Sequence, residues 1–493
     1  MKDESKFSKV LSILLSVVLV ISSFYLLYQV IRLNVLPSKF LFPLTIGVVV
    51  LDAIFILLLI YFSKNVVSKI VCIVLTLFIC VATCMGGYYI SKTQNVLSNI
   101  TNVAKHAKNT VSVIVKESSS IKNKSQLNGV SVGSLRLNEQ GSNKVLKELS
   151  SEGIVLNQTE YDSMTALLEA FYNGEVDSII INESSRSQIL DMEAYSNFDS
   201  NTRVVYQTSY KVKNNDSATS VSDITSKPFN VLISGSDTRG GFDENGRSDV
   251  IMVATVNPKT HTILLTSVPR DFYVTTACDA GDGCMQGALD KITHTGIHGT
   301  NTTKRTVEQL LGIEINYTFK VGFDTVTELV DVLGGVDVYV EPGYATTTSE
   351  FSVHEGVNHL NAQQALAFAR ERYSYTEGDR QRTKNQQQVL MGIVKEATKP
   401  SVITNYAAIM DTMANTFSTT MSNEEITDLI KYQLNNNPTW KMEQYMVDGT
   451  GDTLMCAELG DAASVMVPDQ STVKMAKDKI NAVLAGKSSE DVK

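Results

Sequence analysis

The stretch FNVLISGSDTRGGFDENGRSDVIMVATVNPKTHTILLTSVPRD, residues 229–271, decides the fold of the largest part of this chain. It opens on an apolar run, FNVLISGSD, that ends in a polar loop. Two β-rich runs follow, joined by the turn signal NPKT, which predicts a hairpin. Downstream, the periodicity predicts helices at about 301–311, 323–333, 360–372, 379–398, 401–417, 422–434 and 471–485. Strands are predicted between them at about 315–321, 336–340 and 441–447. Residues 229–486 therefore read as an α/β/α domain with a mixed central sheet covered by helices on both faces.

Upstream lie three apolar runs, about 10–31, 40–62 and 69–90, each long enough to span a membrane as a helix. Together, residues 1–91 read as a multi-pass anchor. Lys2, Lys6 and Lys9 precede the first run, so the positive-inside rule favours a cytoplasmic N-terminus and an outward-facing remainder. Residues 92–109 read as a polar stalk. From about 110 to 213 short strands alternate with amphipathic helices, predicting a small α/β accessory domain that closes the segment 92–213. A Ser/Thr/Asn/Asp-rich linker occupies 214–228, and 487–493 is a polar tail. Three of the six cysteines fall in the third apolar run. Cys278 and Cys284 share the loop CDAGDGC, where a short disulfide and two free thiols are both open readings.

The net charge of −9 argues against broad nucleic-acid binding. Against that background the arginines are placed unevenly. Of twelve in the chain, Arg370, Arg372, Arg380 and Arg382 sit in RERYSYTEGDRQR (370–382), and Arg239, Arg247 and Arg270 lie near predicted strand ends. A guanidinium grips phosphate through a planar fork and stays charged at any working pH. Any one of these arginines is explained by a local acid such as Glu371 or Asp379; seven in three short blocks point to an anion clamp. Asp237 ends one strand and Asp249 begins the next, with Gly240, Gly241 and Gly246 letting the loop between them fold back. Paired carboxylates suit a hard cation, Mg²⁺ first, which takes carboxylate, phosphate and water oxygens. Carboxylate, cation and arginine together describe a pyrophosphate site.

These same blocks, with LDKITHTGIHG (289–299) and FARERYSYTEGDRQRTKNQQQ (368–388), resemble the signature blocks of the LytR-CpsA-Psr family. The order of parts is similar to that of its capsule-associated streptococcal branch. The resemblance implies an outward-facing domain, on a Gram-positive cell membrane, that buries a polyprenyl tail between sheet and helices. It also implies transfer of a phosphate-linked glycopolymer, here capsular polysaccharide, from a polyprenyl-pyrophosphate carrier to peptidoglycan, with Mg²⁺ or Mn²⁺ as cofactor. By position, Asp237 and Asp249 match the metal-associated acids. Arg247, Arg270, Arg370, Arg372, Arg382 and Gln386 match the phosphate-binding set. Arg239, Asp271, Lys291, Asp379 and Arg380 lie in the motifs, with Asp271 and Asp379 as candidates to accept a hydroxyl proton. Capsule-assembly membrane proteins are expected partners.

Other readings have less behind them. The chain has no H-E-x-x-H or P-loop motif. His294 and His298 are four apart, a spacing open to metal, but no third ligand is placed nearby. The cytoplasmic pieces, 1–9 and 63–68, are too small for a DNA-binding domain. The main alternative is a non-catalytic lipid-phosphate sensor that sets capsule amount or chain length.

Overall fold

Three apolar helices, α1 (Lys6–Leu33), α2 (Ser38–Leu57) and α3 (Val66–Thr101), are each long enough to cross a membrane. The computed structural model describes residues 6–62, 65–101, 106–236, 244–279, 284–399, 408–409, 412 and 417–492. The chain divides into two compact units, and the first holds these helices together with residues 422–439. Asp52, the carboxylate within the second run, accepts from Ser23 Oγ at 2.9 Å, so interhelical packing accounts for it. The expected stalk is shorter than the sequence suggested. Its polar residues contain no helix breaker, and α3 carries them on to Thr101.

The second unit begins with the accessory domain. Its strands are β1 (His106–Lys116), β2 (Ser131–Leu135), β3 (Asn157–Tyr161), β4 (Ser178–Asn182) and β5 (Thr202–Lys213), in the order β3-β2-β4-β1-β5. Helices α4 (Glu139–Ser151), α5 (Met164–Asn173), α6 (Arg186–Asp191) and α7 (Phe198–Asn201) complete it. Alternation along the strands sends Ile114, Ile179 and Ile181 toward α5, and Val111, Val113 and Ile180 toward α4.

The larger domain is built on β6 (Phe229–Ser236), β7 (Ser248–Asn257) and β8 (Thr262–Ser267), the predicted strand and hairpin. Two-stranded ladders and ribbons follow: β9 (Tyr273–Thr275) with β10 (Leu289–Lys291), β12 (Val336–Val340) with β15 (Gly356–Leu360), β13 (Thr346–Thr347) with β14 (Ser352–Val353), and β18 (Gly449–Cys456) with β19 (Asp461–Pro468). With β11 (Tyr317–Gly322), β16 (Phe417–Thr419) and β17 (Lys441–Met446) the main sheet runs β16-β11-β6-β7-β8-β17. It is mixed: β6 pairs parallel to β11 and antiparallel to β7. Helices α8 (Thr300–Leu311), α9 (Phe323–Leu333), α10 (Ala362–Arg370), α11 (Asp379–Ala397) and α13 (Gln470–Leu484) belong to this domain, whereas α12 (Asn423–Asn436) belongs to the first unit. The predicted helix at 401–417 lies outside the described residues except at 408, 409, 412 and 417, and residue 417 opens β16.

Strand alternation divides the main sheet into two working faces. Leu232, Ile251, Val253 and Leu264 pack against Val307 and Leu311 of α8 and Val473, Ala476 and Ile480 of α13. Ile233, Val250 and Met252 point the other way, toward α9, α10 and α11. Helix α11 is fixed by buried amides: Asn385 Nδ2 donates to the Phe368 carbonyl at 3.0 Å and Gln387 Nε2 to the Tyr445 carbonyl at 2.9 Å. A Cβ at Gly392 would stand 2.7 Å from the Asp337 carbonyl, so glycine is what lets α11 approach β12.

Candidate active site

One apolar cleft sets the location. It is an open cleft of about 580 Å³, solvent-open space included, between the second face of the sheet and helices α9, α10 and α11. Ile233, Val250, Met252 and Val321 form its floor, and Leu366, Val389, Leu390 and Ile393 its helical wall. Register explains the flat floor, because Gly235 lies opposite Val250 on one side and Val321 on the other. A Cβ at Gly235 would meet Val250 Cβ at 2.8 Å and fill that space.

Helix periodicity then ties the cleft to the charges. Gln386, Val389, Leu390 and Ile393 line it, and stepping back by four and three residues along that stripe reaches Arg382 and Asp379. Arg382 forms an ion pair with Asp379 there and is only 13% exposed. Across the mouth, Arg270 Nη1 donates to Asp249 Oδ1 at 2.9 Å, and Thr293 Oγ1 reaches the same oxygen at 3.4 Å. Asp271 lies 3.8 Å from Arg270 Nε and 3.3 Å from Lys291 Nζ.

The electrostatics show these groups acting on one another. Burial pulls the Arg270 guanidinium down, but Asp249 and Asp271 outweigh it, with Asp379 adding to them, and hold it above its ordinary value. At Arg382 burial wins; Asp379 opposes it, while the like charges of Arg270 and Arg372 add to the depression. Arg270 Nε and Arg382 Nε are both buried without a hydrogen-bond partner, as is Ser236 Oγ at the cleft. Buried donors of this kind are costly unless something accepts from them. A pocket whose cations repel one another and whose N–H groups lack acceptors is built to take an anion.

The other predicted residues divide between this neighbourhood and other partners. Arg372 stands over the Tyr373 ring, 4.7 Å from its centroid, and donates to its hydroxyl at 2.6 Å. Gln386 lines the cleft, and Arg370 closes α10. Arg380 turns elsewhere: its Nε donates to Asp448 at 2.7 Å and its Nη2 to the Gly449 carbonyl at 2.8 Å. Arg247 bonds Asp191 of the accessory domain. Asp237, Arg239, Gly240 and Gly241 lie outside the described residues. His294 and His298 do not form a metal pair; each takes its own acid, Asp290 at 2.7 Å and Glu458 at 2.8 Å. Among the described residues no group of three His, Cys, Asp or Glu is placed to hold a metal ion. Cys278 and Cys284 are joined in a disulfide.

Ser236, Thr293 and Tyr373 were missed by the sequence reading. Their signals were slight: Ser236 is the last polar residue of an apolar strand, Thr293 sits in LDKITHTGIHG, and Tyr373 interrupts an arginine-rich block.

A family model described as LytR_cpsA_psr matches residues 194–482, well over half of the chain. The chain belongs to the LytR-CpsA-Psr family. Among curated relatives, the polyisoprenyl-teichoic acid–peptidoglycan teichoic acid transferase TagU of Bacillus cereus is 31% identical over 241 residues, 48% of this chain and 76% of the relative. TagU of Bacillus subtilis is 34% identical over 203 residues, 41% of this chain and 63% of the relative. Among solved LytR-CpsA-Psr structures, that of B. subtilis TagU is 28% identical, covers 52% of this chain and 97% of its own, and has a TM-score of 0.41. A Streptococcus agalactiae protein, gbs0355, is 25% identical, covers 53% and 89%, and has a TM-score of 0.45.

Proposed function

We propose that the chain is a membrane-anchored transferase that moves a phosphate-linked glycopolymer from a polyprenyl-diphosphate carrier to peptidoglycan. The observation that carries this reading is the pair of unpartnered, buried guanidinium N–H groups of Arg270 and Arg382 at the head of an apolar cleft. A diphosphate supplies the missing acceptors, and an isoprenoid tail suits the cleft lining. The relatives' named reaction, transfer of teichoic acid to peptidoglycan, is of the same class. For this chain the part order favours capsular polysaccharide as the polymer. The lysines before α1 favour an outward-facing second unit, where capsule-assembly membrane proteins would be its neighbours.

In the reaction, a peptidoglycan sugar hydroxyl attacks the sugar-proximal phosphorus. The new P–O bond forms as the bond to the bridging oxygen breaks, and polyprenyl phosphate leaves with that oxygen. Arg270, Arg372 and Arg382 stabilise the charge that develops. Asp271 or Asp379 takes the hydroxyl proton. The two bonds at Asp249 both use Oδ1, which leaves Oδ2 as a hard oxygen donor fitting Mg²⁺ or Mn²⁺. Held by Asp249 and Asp237, such a cation would neutralise part of the diphosphate charge.

The test is transfer of polyprenyl-linked glycan to peptidoglycan by the purified chain, with Mg²⁺ or with EDTA. Product is expected only with the cation, and Arg382→Ala should abolish it with the fold intact. Binding of the lipid without turnover under any condition would favour the sensor alternative.

A further inference from the structure

The accessory domain reaches into the neighbourhood of the site at one short segment, 244–247. Glu244, with a side chain only 7% exposed, lies 3.5 Å from Lys108 Nζ and accepts from the Thr110 hydroxyl, both on β1. Its carbonyl takes Lys320 Nζ of β11 at 2.7 Å. Three residues on, Arg247 bonds the carboxylate of Asp191, the last residue of α6. The next residue but one is Asp249, the partner of Arg270. The segment that leads into the site is therefore gripped by accessory-domain side chains at both ends.

Arg247 is matched by the family blocks to the phosphate-binding set, yet here a carboxylate from the accessory domain occupies it. The leading charges at Arg270 are Asp249, Asp271 and Asp379, and at Arg382 they are Asp379, Arg270, Arg372 and Asp249; Arg247 is not among them. We propose that Asp191 withholds Arg247 from the diphosphate cluster, so that the donor lipid must win this guanidinium from the accessory domain. A carboxylate presents oxygens to the guanidinium fork much as a phosphate does, so one anion can replace the other. Exposure favours exchange as well. Arg247 is 12% exposed but Asp191 is 56% exposed, and an ion pair open on one side is weak enough to be competed away. Arg247 Nε is buried with no partner, so the pair with Asp191 leaves one donor for a second anion to satisfy. Asp191 thus acts as a positioning residue that raises the threshold for donor binding, and the accessory domain gains a role in the reaction.

This inference rests on the diphosphate reading of the site, and the test separates the two. The full chain in detergent is titrated with farnesyl diphosphate. Asp191→Asn should tighten binding by about two- to fivefold, the range a rim ion pair can supply. Asp191→Glu should restore wild-type affinity. Arg247→Ala should weaken binding, and the double variant should match Arg247→Ala alone. Thr165→Ala removes a different accessory-domain contact, the 2.5 Å bond to Asp461, and should leave affinity unchanged. Unchanged or weaker binding by Asp191→Asn overturns the inference, and so does equal tightening by Thr165→Ala. A wild-type chain that ignores farnesyl diphosphate would instead remove the diphosphate reading itself.

Discussion

Arg380 and Arg382 stand two residues apart on α11 and serve different ends. Arg382 is 13% exposed and faces Asp379 at the head of the cleft, whereas Arg380 is 41% exposed and ties α11 to Asp448 and the Gly449 carbonyl. An α-helix turns about 100° per residue, so positions two apart point about 200° away from each other and a dense arginine block need not share one target.

The pair should therefore divide function from stability. Arg382→Ala is expected to remove transfer almost entirely while leaving the melting temperature within a few degrees of wild type. Arg380→Ala should keep transfer within about threefold. It should lose on the order of 0.5–1 kcal/mol of stability, a figure already reduced for solvent screening of the exposed pair. Paired melting curves and transfer assays decide it; equal loss of transfer in both variants would return Arg380 to the phosphate set.

How much of this was legible beforehand depended on whether the signal was local. The strand and hairpin within 229–267 follow from alternation and turn residues, and they reappear as β6, β7 and β8. Helix α11 appears at Asp379–Ala397 because its periodicity and polar N-terminus are both written in sequence. The ribbon β18–β19 was not foreseen, since GTGDTLMC and DAASVMVP lack a regular apolar alternation and are held by each other. Helix α12 was read as part of the sheet domain, but it packs with the membrane helices, where Thr101 Oγ1 donates to Asn423 at 2.7 Å. The arginine block announced an anion site; which arginines face it depended on long-range partners such as Asp191 and Asp448, invisible to spacing.

The cleft invites a size test. Leu390 sits in its helical wall, and Leu390→Trp adds bulk without charge. Overpacking a formed slot costs about 1–3 kcal/mol, so affinity for a long polyprenyl diphosphate should drop about five- to a hundredfold. Inorganic pyrophosphate, which needs only the charged head, should bind as before. Equal affinity of wild type and variant for the long lipid would place the tail elsewhere.

Cysteine chemistry offers an independent check on the second unit. Alkylation of the native chain should leave Cys278 and Cys284 unmodified until a reductant opens their bond. Cys456 should resist even then, because it is fully buried and burial, with Asp290 adding to it, pushes its thiol up to about 11. It should react only on unfolding. Mass spectrometry of the three states reads this directly, and modification of Cys278 or Cys284 without reductant would contradict the disulfide.

Asp216, in the linker ahead of β6, gives the stability a pH dependence. Its Oδ1 is buried without a partner while Oδ2 accepts from Thr318 at 2.7 Å. Burial raises its carboxyl from 3.8 to about 6, and the Thr318 bond with Lys304 and Lys320 offsets this only in part. Below about pH 4 the group is protonated in both folded and unfolded chains. Between those values the folded chain keeps a proton that the unfolded chain releases, so stability falls as pH rises through about 6. The full loss, on the order of 3 kcal/mol, is in place by pH 7. Asp216→Asn preserves the acceptor toward Thr318 and carries no charge. It should melt like wild type at pH 4 and several degrees higher at pH 7. Melting curves of the detergent-solubilised chain at pH 4, 5, 6 and 7 test the slope. A gap between variant and wild type that stays constant across that range would show that Asp216 is not the group being titrated.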